Sequence, residues 1–112
     1  MVSVPSDESI KITETVIKAE SFWKRLKGLL GTRELPEDTG LLLKPCRQIH
    51  TWWMNYPIDV LYLDSHGRIL HIDSEVPPNT WKKPVKKADM VLEIKAGLCR
   101  KKNIQIGQKI EF

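Results

Sequence analysis

The strongest constraint in this sequence is a pair of β-type runs divided by a three-residue break. Residues 58–64 are apolar and β-branched, Ser65-His66-Gly67 is turn-forming, and 68–76 resumes with apolar residues. Runs of this kind so close together pair most readily as an antiparallel hairpin. Asp64 is the expected turn residue, its carboxylate accepting from backbone N–H groups near Gly67.

The remaining elements are short. Strands are expected over 10–19, 40–43, 90–94 and 109–112, from β-branched residues, alternation and flanking Gly or Pro. One good helix is expected at about 21–31. Ser21 can cap it, Phe22, Leu26, Leu29 and Leu30 form its apolar stripe with Trp23 at the margin, and Gly31 stops it. A short second helix is expected at about 97–103. Polar residues around Pro36 form one loop, and a longer one runs from Pro77 past Pro84, of the length that often carries function. Strands outnumber helices, and no βαβ pattern with glycine-rich phosphate loops is present. The expected fold is α+β and β-rich, a mainly antiparallel small barrel or sandwich with one main helix packed on it. Residues 1–8 read as a frayed or disordered end and 9–112 as a single globular domain.

Composition narrows the function classes. With 112 residues, 41% hydrophobic and 29% charged, the chain is neither disordered nor membrane-spanning in pattern. The first ten residues lack a basic stretch followed by an apolar one, so a cytoplasmic location is expected, with Cys46 and Cys99 as reduced thiols. The net charge is +4. Lysines gather at 82, 83, 86 and 87, and basic residues again at 95 and 100–102. This is a solubilising face or a site for an anionic partner. No nucleic-acid motif is present, so nucleic acid is not an expected partner.

Chemistry-bearing residues crowd the stretch from Cys46 to Asp59. Cys46, His50 and Met54 are spaced four apart and share a face on either a helix or a strand, provided the segment is regular. Together they are a soft ligand set suited to Cu(I); separately, Cys and Met are ordinary core residues. No C-x-x-C pair supports a zinc site. Cys46 and His50 are also a nucleophile and base by type. Trp52, Trp53 and Trp81 can form a flat platform, with Arg47, Lys82 and Lys83 nearby to favour an anionic ligand. Asp59 alternates with Leu61 and Leu63 and is expected to be buried. Its carboxylate then either binds loop backbone or acts as a base or cation ligand. Glu93, in Val91-Leu92-Glu93-Ile94, poses the same alternative, and two carboxylates in one cleft would form an acid/base pair. The candidate ligand-binding residues are therefore His50, Trp52, Trp53, Met54, Asp59, Trp81 and Glu93, with Cys46, His50 and Met54 as weaker metal candidates. No cofactor is expected, and a small-molecule ligand is the partner the pattern favours.

Several separated motifs occur here in a recognisable order: Gly28-Leu29-Leu30, Gly40-Leu41-Leu42-Leu43-Lys44-Pro45-Cys46, Ile49-His50-Thr51, Met54, Pro57 to Asp64, Gly67, Val91 to Gly97, and Gly107. In these the chain resembles the prokaryotic family known as domain of unknown function 192, from about residue 24 to 112. The resemblance implies a compact β-rich fold with helical additions and no particular reaction. It departs from the family pattern at Asn55, where a basic residue is common, at Lys95, where proline is common, and at Gln108, where an acidic residue is common. The first departure removes a family basis for anion binding at that position.

Overall fold

The computed structural model describes residues 9–18, 35–51 and 54–112. The helix expected at 21–31 and the pair Trp52 and Trp53 lie outside the described residues. The described elements are β1 (Ser9–Ile10), β2 (Thr15–Lys18), β3 (Thr39–Leu43), β4 (Ile58–Leu63), β5 (Ile69–Val76), β6 (Met90–Lys95), α1 (Leu98–Lys101) and β7 (Lys109–Ile110). Five strands form one sheet in the order β2-β3-β6-β4-β5. β2 runs parallel to β3, and the other three pairings are antiparallel. The sheet ends in β2 on one side and β5 on the other, so the barrel form of the expectation is not adopted. β1 and β7 pair separately, in parallel.

The hairpin forms where expected. Asp64 Oδ1 accepts from the N–H of His66 at 2.8 Å and of Arg68 at 3.0 Å. These bonds hold the Asp64 carboxyl below its usual range despite partial burial.

Register assigns side chains to faces, because alternate residues of a strand point opposite ways. Ile17, Leu41, Glu93, Val60 and Asp73 align in one row across the sheet. They belong to the first face, which packs against Leu35, Ile49, Met54, Tyr56 and Ala88. Lys18, Leu42, Leu92, Leu61 and Ile72 form the adjacent row on the second face. That face packs against Ile12, Leu98, Cys99, Ile104 and Ile110. β4 and β6 are buried on both faces, which explains why they read as continuous apolar runs.

Three boundaries differ from expectation, each for a local reason. The 10–19 run splits into β1 and β2. Between them the Thr13 hydroxyl donates to the Thr15 carbonyl at 3.1 Å, a side-chain bond that competes with strand geometry. The second helix is shorter than 97–103, because Gly97 (φ 87) and Asn103 (φ 53) are left-handed and bound it. The last strand covers only Lys109–Ile110. No helix among the described residues is long and apolar enough to cross a membrane.

Gly67 closes the hairpin turn at φ 85, and a Cβ there would lie 3.2 Å from the Ile110 carbonyl oxygen. Gly67→Ala is therefore expected to lower stability by roughly 1–2 kcal/mol, the cost of a left-handed L-residue, in urea unfolding.

Candidate functional site

The stretch from Cys46 to Thr51 is neither helix nor regular strand. It runs antiparallel beside the 79–89 loop and is tied to it along its length. Thr51 N–H donates to the Thr80 carbonyl at 2.8 Å, Lys82 N–H to Ile49 at 3.1 Å, Val85 N–H to Arg47 at 2.8 Å, and Cys46 N–H to Asp89 at 2.9 Å. The Thr51 hydroxyl adds a buried clasp, donating to the Pro77 carbonyl at 2.7 Å and accepting from Thr80 N–H at 2.9 Å. This builds an irregular two-stranded ribbon over the first face of the sheet.

His50 and Trp81 form the one isolated bridge in that ribbon. Bridge partners project to the same side, with Cβ atoms about 5 Å apart. Here the side is the outer one. His50 is exposed, and Trp81 is 57% exposed, whereas Ile49 is buried in the core beneath. Arg47 and Lys83 are exposed on the same ribbon. The two thioether and thiol candidates do not join His50. Met54 is buried in the first-face core, and half-buried Cys46 packs against that core with its thiol donating to the Gln48 carbonyl at 3.0 Å. The shared face that four-residue spacing promises requires a regular segment, and this one is irregular. No group of three His, Cys, Asp or Glu suited to a metal occurs among the described residues. Burial pushes the Cys46 thiol up, and the Glu93 carboxylate adds to the effect, so the sulfur is held as a thiol rather than a thiolate.

Asp59 is fully buried, and its carboxylate is occupied by backbone. Oδ1 accepts from Glu75 N–H at 2.7 Å and Gly97 N–H at 3.1 Å, and Oδ2 from Cys99 N–H at 2.9 Å. It thus caps the start of α1 and holds Glu75 in a left-handed conformation (φ 52). Next to it Cys99 is buried, and its thiol is pushed up to about 12 by burial and by the Asp59 carboxylate. Asp59 pairs with Ile94 and Glu93 with Val60. The two carboxylates therefore occupy opposite faces of the sheet and cannot form one acid/base pair.

Glu93 is buried on the first face, and burial pushes its carboxyl up to about 7. Its charge is felt by Cys46, Tyr56 and Tyr62, which places these groups around it. The Tyr56 hydroxyl is buried and has no hydrogen-bond partner among the described residues. Tyr62 is buried, and its hydroxyl donates to Asp73 Oδ2 at 2.9 Å; Asp73 Oδ1 in turn lies 3.0 Å from His71 Nε2. Sequence reasoning did not single out Tyr56, Tyr62, His71 or Asp73. The hairpin alternation could have found the last three, since Tyr62 faces His71 and Val60 faces Asp73 across one strand pair.

Comparison with known proteins places the chain. The family model described as "Uncharacterized ACR", domain of unknown function 192, matches residues 2–112. The chain belongs to this family. A UPF0127 protein of Thermococcus sibiricus is 30% identical over 104 residues, covering 84% of this chain. The match spans only 63% of that relative's length. Among solved structures, a protein of unknown function from Novosphingobium aromaticivorans has a TM-score of 0.71 at 21% identity, covering 91% of this chain and 76% of its own. A Sinorhizobium meliloti protein, provisionally described as a transcription regulator, has a TM-score of 0.64 at 21% identity, covering 86% and 78%. At such identities the likeness to these two structures is one of fold.

Two outcomes test these assignments. Asp59→Asn leaves an amide facing N–H donors and is expected to cost on the order of 2 kcal/mol while making Cys99 reactive toward a disulfide probe under native conditions. Because Glu93 binds its proton more tightly folded than unfolded, its contribution is fully present below about pH 4.5 and is lost as pH rises through about 7. Glu93→Gln is expected to abolish that decline, so its stability relative to the parent should climb by up to about 3 kcal/mol across this window in denaturant titrations.

Proposed function

We propose that the protein is a small binding domain that takes a flat or extended anionic ligand on the outer side of the 46–51 and 79–89 ribbon. The observation that carries this reading is Trp81, 57% exposed beside His50 on a backbone-clamped ribbon. A large indole left in water on a ribbon held by backbone bonds is a platform for a ring to stack on. Arg47 and Lys83 supply positive charge at its edge, and His50 adds a donor. Of the residues expected in the site, His50 and Trp81 support this reading. Met54 and Asp59 serve the core, and Glu93 lies beneath the ribbon on the first face.

The geometry favours binding over catalysis. A thiol raised by burial and bonded to a carbonyl is a poor nucleophile, and the fully buried Asp59 carboxylate is already taken up by three backbone N–H groups. Two cysteines without a disulfide suit a reducing cytoplasm. The Sinorhizobium neighbour's description lends no weight to nucleic-acid binding here, since the likeness is one of fold and the sequence carries no recognised nucleic-acid motif.

The test uses adenosine monophosphate and an acidic trisaccharide as probes, followed by chemical shifts of the His50 ring and Trp81 indole. One of them is expected to move both signals, and Trp81→Ala should weaken that binding by about tenfold, the loss of one stacking contact. Equal affinity in Trp81→Ala, or no shift from either probe, would overturn the proposal.

A further inference from the structure

The second face of the sheet carries an open cavity of about 440 Å³ that is separate from the ribbon. Its size lies in the range of small-molecule sites. Leu42 and Met90 form its apolar floor, and Phe112 forms a wall. The Phe112 ring is 53% exposed yet positioned, since a Cβ on Gly67 would meet its edge at 3.6 Å. Around this apolar surface stand Lys18, Lys44 and His66.

The placement of the cations follows from the fold. Lys18 is the cross-strand partner of Leu42, so its side chain leaves the sheet beside the floor. Lys44 lies two residues beyond Leu42, and His66 sits on the hairpin turn opposite. No acidic residue lines the cavity among the described residues. Two described carboxylates next in sequence to its lining residues are engaged elsewhere or only loosely paired. Asp64 accepts from the His66 and Arg68 backbone, and Asp89 lies 4.0 Å from the Lys44 Nζ, a long and solvent-exposed pair. Such a pair is worth little, so Lys44 can turn to a better anion at small cost.

We infer that this cavity is a binding site for a small amphiphilic monoanion, an aromatic carboxylate whose ring lies between Leu42, Met90 and Phe112 and whose carboxylate meets Lys18 and Lys44. Ring and charge are both required by the lining. An inorganic anion would leave the apolar floor wet, and a neutral ring would give the two ammonium groups no charge to meet.

The experiment titrates the intact protein with 2-naphthoate, its neutral isostere 2-naphthamide, and inorganic phosphate, read by backbone amide shifts. Naphthoate is expected to saturate shifts at Leu42, His66, Gly67 and Met90 while leaving Trp81 still, and to bind at least about tenfold more tightly than the amide or phosphate. Lys18→Met with Lys44→Met should erase that preference without altering the spectrum elsewhere. Phe112→Ala should weaken naphthoate and leave phosphate unchanged. Equal binding of the amide would show that charge is not read, and equal binding of phosphate that the apolar floor is not used; either overturns the proposal. So does unchanged naphthoate affinity in the double lysine variant, or an absence of shifts at these residues up to millimolar naphthoate.

Discussion

A single carboxylate joins the far parts of this chain. Asp59 sits on β4, between β6 and β5 in the sheet, and draws in the backbone of β5 at Glu75, the entry to α1 at Gly97, and its first turn at Cys99. The three donors come from segments 16, 38 and 40 residues away. A buried anion is tolerable only when surrounded by donors, and here the donors are main-chain groups that would otherwise be orphaned in the interior. The arrangement fixes the height of α1 over the second face and bends β5 at its end.

The sheet then acts as a divider. Strand alternation gives Asp59 to one side and Glu93 to the other, so two buried acids close in sequence-pattern terms live in separate surroundings. Asp59 is surrounded by backbone N–H groups. Glu93 shares its side with tyrosines and a thiol, and burial keeps it close to half-protonated near neutrality. A carboxyl of that kind, near a buried Tyr56 hydroxyl with no hydrogen-bond partner among the described residues, makes the first-face interior sensitive to proton concentration.

Much of the scaffold was legible from residue order. The hairpin, the Asp64 turn and the buried position of Asp59 follow from period-two patterning and turn chemistry, which are local. The parallel β2–β3 pairing was not legible, because nothing in the sequence of 15–18 distinguishes a parallel from an antiparallel neighbour; that is decided by which partner the sheet offers. The proposed face shared by Cys46, His50 and Met54 failed for a related reason. Periodicity carries information only inside a regular element, and this stretch takes its shape from bonds to a distant loop, the Thr51–Thr80 pair among them spanning 29 residues. The His50–Trp81 pair is a product of the same long-range bonding, which is why neighbouring lysines in sequence hinted at it but spacing could not locate it.

The β1–β7 ladder has a mechanical meaning. Ser9 pairs with Lys109 and Ile10 with Ile110, running in the same direction, and Glu111 N–H reaches the Ile10 carbonyl at 2.7 Å. In a parallel pair the strand leading in and the strand leading out depart from opposite ends of the ladder. Tension carried along the backbone through both therefore loads these bonds together, in shear, instead of peeling them one after another. The same clasp that brings the two ends of the described chain side by side is also the first element to resist when the domain is pulled.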